Sequence, residues 1–168
     1  MSERGYLENI FTGRKTDILN GYTPFRPNEE CREIVRRFGE LMKEFPAREI
    51  EEAGVIPEEV WDEMKKMGLF GLTVPKEYSG LGFSLREYLY VVRHMAMDDM
   101  SIALIPLAHL SIGIKGILLF GTDEQKRACL PRAATGDMIF AYALTEPKTG
   151  SDARHITTLA RYSSEEEC

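Results

Sequence analysis

The chain has 168 residues, 43% of them hydrophobic, enough for one domain with a real core, which excludes a disordered tail. Its 27 acidic residues outweigh 21 basic ones for a formal charge of -6, and no basic cluster stands against that field, so no nucleic-acid partner is expected. Cys31, Cys129 and Cys168 are widely spaced and odd in number, without CxxC, so neither a disulfide framework nor a zinc site is indicated and a reduced, cytoplasmic setting is expected.

Residues 1–27 carry Gly5, Gly13, Gly21 and Pro24 among scattered aromatics, a pattern for an extended arm with short helical pieces. No apolar core of a secretory signal occurs in MSERGYLENIFTGRK, so export is not expected. Pro27 and Asn28 then announce a helix: Asn28 stands as N-cap, and Ile34, Val35, Phe38, Leu41, Met42 and Phe45 make one apolar stripe that Pro46 closes or kinks. A second helix starts at Pro57 in PEEVWDEMKKMG, where early glutamates, late lysines and Gly68 follow the helix dipole, and Val60, Trp61 and Met64 form its buried face. Trp61, the only tryptophan, reads as a core anchor.

Pro75, Gly80 and Gly82 punctuate LFGLTVPKEYSGLGFS into a shaped loop. Helical period returns from Leu85 to Asp98 and continues through the apolar run Ser101 to Gly121. That run approaches spanning length, but Pro106, His109, Lys115 and its glycines favour a buried helix of a soluble core over a transmembrane span. Thr122 caps a further helix, with Asp123, Glu124 and Gln125 in its first turn and Pro131 and Gly136 at its end.

After Gly136 the character changes. MIFAYALT and ITTLARY are β-prone runs separated by TEPKTGSDARH. The expected organisation is an arm over 1–27, a helical domain over 28–136, and the start of a β-domain over 137–168. In that intervening loop Thr145, Thr149 and Ser151 offer hydroxyls, Gly150 permits backbone that a Cβ would forbid, and Pro147 stiffens the presentation. Such a loop can cradle an oxygen-rich ligand, or it can be a turn in which Ser151 or Asp152 bonds nearby backbone. His94, His109 and His155 form no HxxxH or HxxH pair, and no serine or cysteine stands in a nucleophile motif, so neither a metal centre nor a catalytic residue is assigned.

TEPKTGSD, preceded by AYAL, resembles the flavin-binding signature of the acyl-CoA dehydrogenases. LTVPKEYSGLG, HLSIGIKGILLFGTDEQKRACLPRAATG and the helix from Pro57 to Met67 resemble that family in its own order, over about Arg48 to Tyr162, and the combination is most similar to the very-long-chain branch. The resemblance implies a mainly α chain: the family's N-terminal helical domain followed by the first strands of a truncated β-domain. It implies FAD held between the β-domain and a C-terminal helical domain, with Tyr142, Leu144, Thr145, Gly150 and Ser151 at the cofactor. Leu144 and Thr145 would serve the pyrimidine end of the flavin, Gly150 and Ser151 the pyrophosphate, and Ser151 the acyl-CoA substrate as well.

The implied reaction is α,β-dehydrogenation of a medium- to long-chain acyl-CoA in fatty acid β-oxidation, with electron-transferring flavoprotein as the oxidant of the reduced flavin and a homo-oligomer as the full-length enzyme. The family's catalytic glutamate lies in the C-terminal domain, so Glu146 is read as part of the loop's own pattern and the chain alone is expected to bind FAD poorly and to be inactive. Lys148 is read as solvent-facing rather than as a CoA phosphate contact. Two alternatives stand beside this: a non-catalytic helical module that associates with a separately encoded remainder, and the front half of an acyl-CoA oxidase or glutaryl-CoA dehydrogenase relative.

Overall fold

Side-chain caps start four of the seven α-helices among the described residues. The computed structural model describes residues 25–161, so the expected arm pieces over 1–24 and the tail 162–168 lie outside the described residues. Helix α1 spans Glu29–Glu44, and the Asn28 side chain accepts from the Cys31 N–H at 2.8 Å, as its capping role requires. Ile34, Phe38, Leu41 and Met42 are buried as the stripe predicts, with Val35 and Phe45 packed at its margin. Cys31 joins the same face, where burial pushes its thiol up to about 11 and leaves it unreactive. Pro46 ends α1 and also opens a short helix, α2 (Ala47–Ala53), which the hydrophobic pattern alone does not reveal.

Helix α3 (Glu58–Lys66) buries Val60 and Met64. Trp61 is only half buried: its ring stacks on Phe70 at 5.8 Å and 7°, so it covers the core rather than anchoring its centre. The shaped loop comprises two 3-10 turns, Leu69–Gly71 and Lys76–Tyr78, and folds back on itself through Phe83 N–H to Leu72 O at 2.7 Å and Leu81 N–H to Gly71 O at 2.9 Å. It drives Leu69, Phe70, Leu72 and Val74 into full burial, so a segment without regular period still supplies much of the core.

Helix α4 (Leu85–Asp98) starts in a reciprocal capping box between Ser84 and Glu87. Glu87 also accepts from Asn28 Nδ2 at 2.7 Å, which ties the starts of α1 and α4 together where the two helices pack. Asp99 caps α5 (Met100–Ala108) through the Ile102 N–H at 2.9 Å; a π-turn at His109–Gly113 and α6 (Lys115–Phe120) continue it as one rod. The rod is long and apolar enough to cross a membrane by length and composition, at a mean hydropathy of 1.9. The expectation of a buried helix holds on one side only: Ile102, Ala103, Leu110 and Ile114 are buried, whereas Leu104, Ile112, Leu119 and Phe120 are exposed.

Helix α7 (Asp123–Thr135) carries the expected Thr122 cap, completed by Gln125. Pro131 does not end it. The ring forfeits one donor to the Arg127 carbonyl, and the burial of Leu130, Ala133 and Ala134 on either side carries the helix four residues further. Gly136, at φ 78, ends it instead, and a Cβ there would fall 2.5 Å from the Phe70 ring. The chain is mainly α, as expected, but the expected strands do not form among the described residues. Residues 139–145 and 156–161 have no regular structure, because a strand exists only in a ladder and no partner strand lies beside either run.

Candidate functional site

The π-turn widens the rod where the chain returns across it. Met138 N–H donates to Arg132 O at 3.0 Å, and two residues later Phe140 N–H donates to His109 Nδ1 at 3.0 Å. The Phe140 carbonyl passes so close to the rod that a Cβ on Gly113 would lie 2.4 Å from it; only glycine allows the crossing. Tyr142 emerges at the exposed end, over a groove of about 380 Å³ whose wall is largely apolar, from Ile112, Leu119 and Phe120 around Gly113 and Gly116, with Ser111 and Lys115 also lining it. A Cβ on Gly116 would meet nothing within 4 Å, so this glycine is the open floor of the groove and not a packing contact.

Beyond Tyr142 the loop closes on itself. Glu146 and Thr149 exchange backbone hydrogen bonds at 2.8 and 3.2 Å around Pro147 and Lys148, with proline at the turn position its fixed φ suits. Gly150 does not need its freedom here, contrary to expectation: its φ is not in the left-handed region, and a Cβ placed on it would meet nothing nearer than Thr145 Cγ2 at 4.0 Å. Thr145, Gly150 and Ser151 are exposed, Leu144 is half buried, and Tyr142 stands apart over the groove. Among the described residues no hydrogen bond within the chain uses the hydroxyls of Thr145 and Ser151 or the N–H groups of Leu144, Thr145, Gly150 and Ser151. These exposed donors suit a ligand bearing carbonyl or phosphate oxygens.

Two residues of the motif serve the loop itself. Thr149, a candidate cradle hydroxyl, is buried and donates to His155 O at 3.0 Å. The Glu146 carboxylate accepts from Thr157 N–H at 2.9 Å, Thr157 Oγ1 at 2.8 Å, Thr158 N–H at 2.9 Å and the Thr158 hydroxyl. These bonds, the Thr158 hydroxyl foremost, hold its carboxyl down at about 2. Lys148 is exposed, as expected. The histidines are all engaged: His94 Nδ1 with Tyr90 O at 2.7 Å, His155 Nδ1 with Asp152 at 2.6 Å, and His109 Nε2 with Ala133 O at 3.1 Å.

His109, Gly113 and Gly116 shape this region and are passed over by motif reading; the only signal for them is a histidine and two glycines inside an apolar run. Burial lowers the His109 pKa from its ordinary 6.5. The unfolded chain therefore takes up this proton before the folded one does, so the contribution is complete above 6.5 and is lost as pH falls through the folded value. Glu146 acts in the same direction in a lower window: its contribution is present above the ordinary 4.5 and is lost as pH falls toward about 2. Acid titration is expected to lower the melting temperature first, below 6.5, while the Thr157 and Thr158 amide shifts hold until the pH is below 4.5. Simultaneous changes in both would contradict this order.

Residues 27–137 match the family described as acyl-CoA dehydrogenase, N-terminal domain. The very long-chain specific acyl-CoA dehydrogenase of human mitochondria is 42% identical over 164 residues, covering 94% of this chain and 25% of its own length. The chain thus spans about a quarter of that relative. Among solved structures, the acyl-CoA dehydrogenase of Bacillus anthracis complexed with FAD superposes with a TM-score of 0.67 at 32% identity, over 80% of this chain and 24% of the other. A structure described as electron transferring flavoprotein of Acidaminococcus fermentans gives 0.68 at 30% identity, over 79% and 36%.

Proposed function

Because the chain belongs to the acyl-CoA dehydrogenase family, we propose that it supplies the helical wall and one flavin-facing loop of an FAD-dependent enzyme that desaturates a medium- to long-chain acyl-CoA between its α and β carbons. The observation that carries this reading is the set of unengaged donors at Leu144, Thr145, Gly150 and Ser151, which follow in sequence directly after Tyr142 at the groove. Bound there, the flavin supplies a hydride acceptor. Thr145 and the adjacent N–H groups would favour negative charge on its pyrimidine ring, and Ser151 would reach both pyrophosphate and thioester end of the substrate. The groove over Gly113 and Gly116 takes the acyl chain, since Ile112, Leu119 and Phe120 give it a largely apolar wall, with Ser111 and Lys115 as its polar members.

Glu146 is committed to Thr157 and Thr158, which supports a base drawn from outside residues 25–161. In this reading electron-transferring flavoprotein reoxidises the flavin, and the full-length enzyme is a homo-oligomer. Its setting is the cytoplasm, in keeping with free thiols at Cys31 and Cys129.

The exposed apolar side of the rod favours one further reading, in which the chain docks a separately encoded remainder of the enzyme. Without formed strands after Met138, that rod face, rather than β-edges, is the driving surface. Purified chain is expected to give no turnover of palmitoyl-CoA with an artificial acceptor and weak or no quenching of FAD fluorescence. Turnover by the chain alone would overturn the assignment of the base elsewhere. Co-purification with a flavoprotein fragment would support docking, and a well-behaved lone monomer would count against it.

A further inference from the structure

We propose that His109 is a positioning residue for the flavin-facing loop, acting as a neutral ring protonated on Nε2. Phe140 N–H can only donate, so the Nδ1 it meets at 3.0 Å must carry a lone pair. Ala133 O can only accept, so the Nε2 at 3.1 Å must carry the proton. The two bonds reach 24 and 31 residues along the chain, and the ring is 1% exposed, so water cannot stand in for either partner. One side chain therefore joins the π-turn, the end of α7 and the segment that follows.

Phe140 is the last backbone tie before the loop. Upstream, Met138 is held by Arg132; downstream, the next backbone bonds are those of the turn at Glu146 and Thr149. Tyr142, Leu144 and Thr145 lie between these ties, so their placement follows from where His109 holds Phe140. Phe70 meets the ring edge-on at 5.9 Å and the Phe140 ring lies at 6.1 Å, which fixes the imidazole plane and with it the direction of both bonds. A histidine that merely filled volume would be replaceable by phenylalanine. A positioning histidine needs one acceptor and one donor, which glutamine also carries.

The role rests on residues 142–151 facing the flavin, but it is tested on the chain without flavin, so failure of the one is distinguishable from failure of the other. In the labelled full chain, long-range nitrogen-proton correlations of the His109 ring should show the Nε2–H form at neutral pH. His109→Phe should keep its helical circular dichroism while the Phe140 amide exchanges roughly five- to tenfold faster, the worth of one net hydrogen bond. Resonances of 142–151 should shift with it, and His109→Gln should recover most of the protection. An Nδ1–H or charged ring would overturn the proposal, and that measurement needs no variant to fold. So would unchanged exchange in His109→Phe, a glutamine variant as unprotected as the phenylalanine one, or equal acceleration throughout α1 and α4, which would mark a packing role alone.

Discussion

Phe70→Ala is expected to destabilise the chain by about 3–5 kcal/mol, a large share of the 5–15 kcal/mol typical of a whole domain. Phe70 is fully buried and is contacted from three directions: Trp61 stacks on one face, His109 meets it edge-on, and Gly136 closes over its side at the end of α7. Removing the ring uncovers Trp61, loosens the imidazole plane and opens a cavity between the 3-10 turn at Leu69–Gly71 and α7. The site can collapse little, because the Trp61 and His109 rings are held by other elements. Urea denaturation should show a lower midpoint with an unchanged slope, and Tyr142 should gain mobility alongside the global loss. A cost below about 1 kcal/mol would mean that Phe70 is peripheral to the core.

Much of the helical architecture is legible in the sequence because its signals are local. Asn28, Ser84 and Thr122 act within three residues of themselves, and the stripes on α1 and α4 are periodic. Pro131 misleads because a proline costs one hydrogen bond locally while the burial that outweighs it comes from elements distant in sequence. The β-prone runs mislead for the opposite reason: their residue types suit a strand, but strand formation depends on a partner that no local pattern contains. In the loop, TEPKTGSD does not separate Thr149, turned inward to His155, from Thr145 and Ser151, which are exposed. His109 and Gly113 are invisible as a pair because their shared partner, Phe140, lies 31 and 27 residues away from them, beyond any local spacing rule.

The same substitution made three residues apart, Gly113→Ala and Gly116→Ala, is expected to have opposite signs. At 113 the added methyl would sit 2.4 Å from the Phe140 carbonyl and 2.8 Å from its carbon, both backbone atoms that no rotamer change can clear. The returning segment must lift, stretching the Phe140 bond to His109, at a cost of about 1–3 kcal/mol. At 116 the methyl enters open space on an exposed helical turn, where replacing glycine relieves backbone entropy and stabilises by about 0.5–1 kcal/mol. Thermal melts of the two variants beside the parent give the signs directly, and the Phe140 amide shift should move in the first and stay in the second. A bulkier residue at 116 separates floor from scaffold: Gly116→Leu should leave the fold intact and fill the groove beneath Tyr142, so that an apolar probe bound there in the parent is excluded. If Gly113→Ala instead melts with the parent, the segment is not pinned against the rod, and the placement of Tyr142 over the groove fails with it.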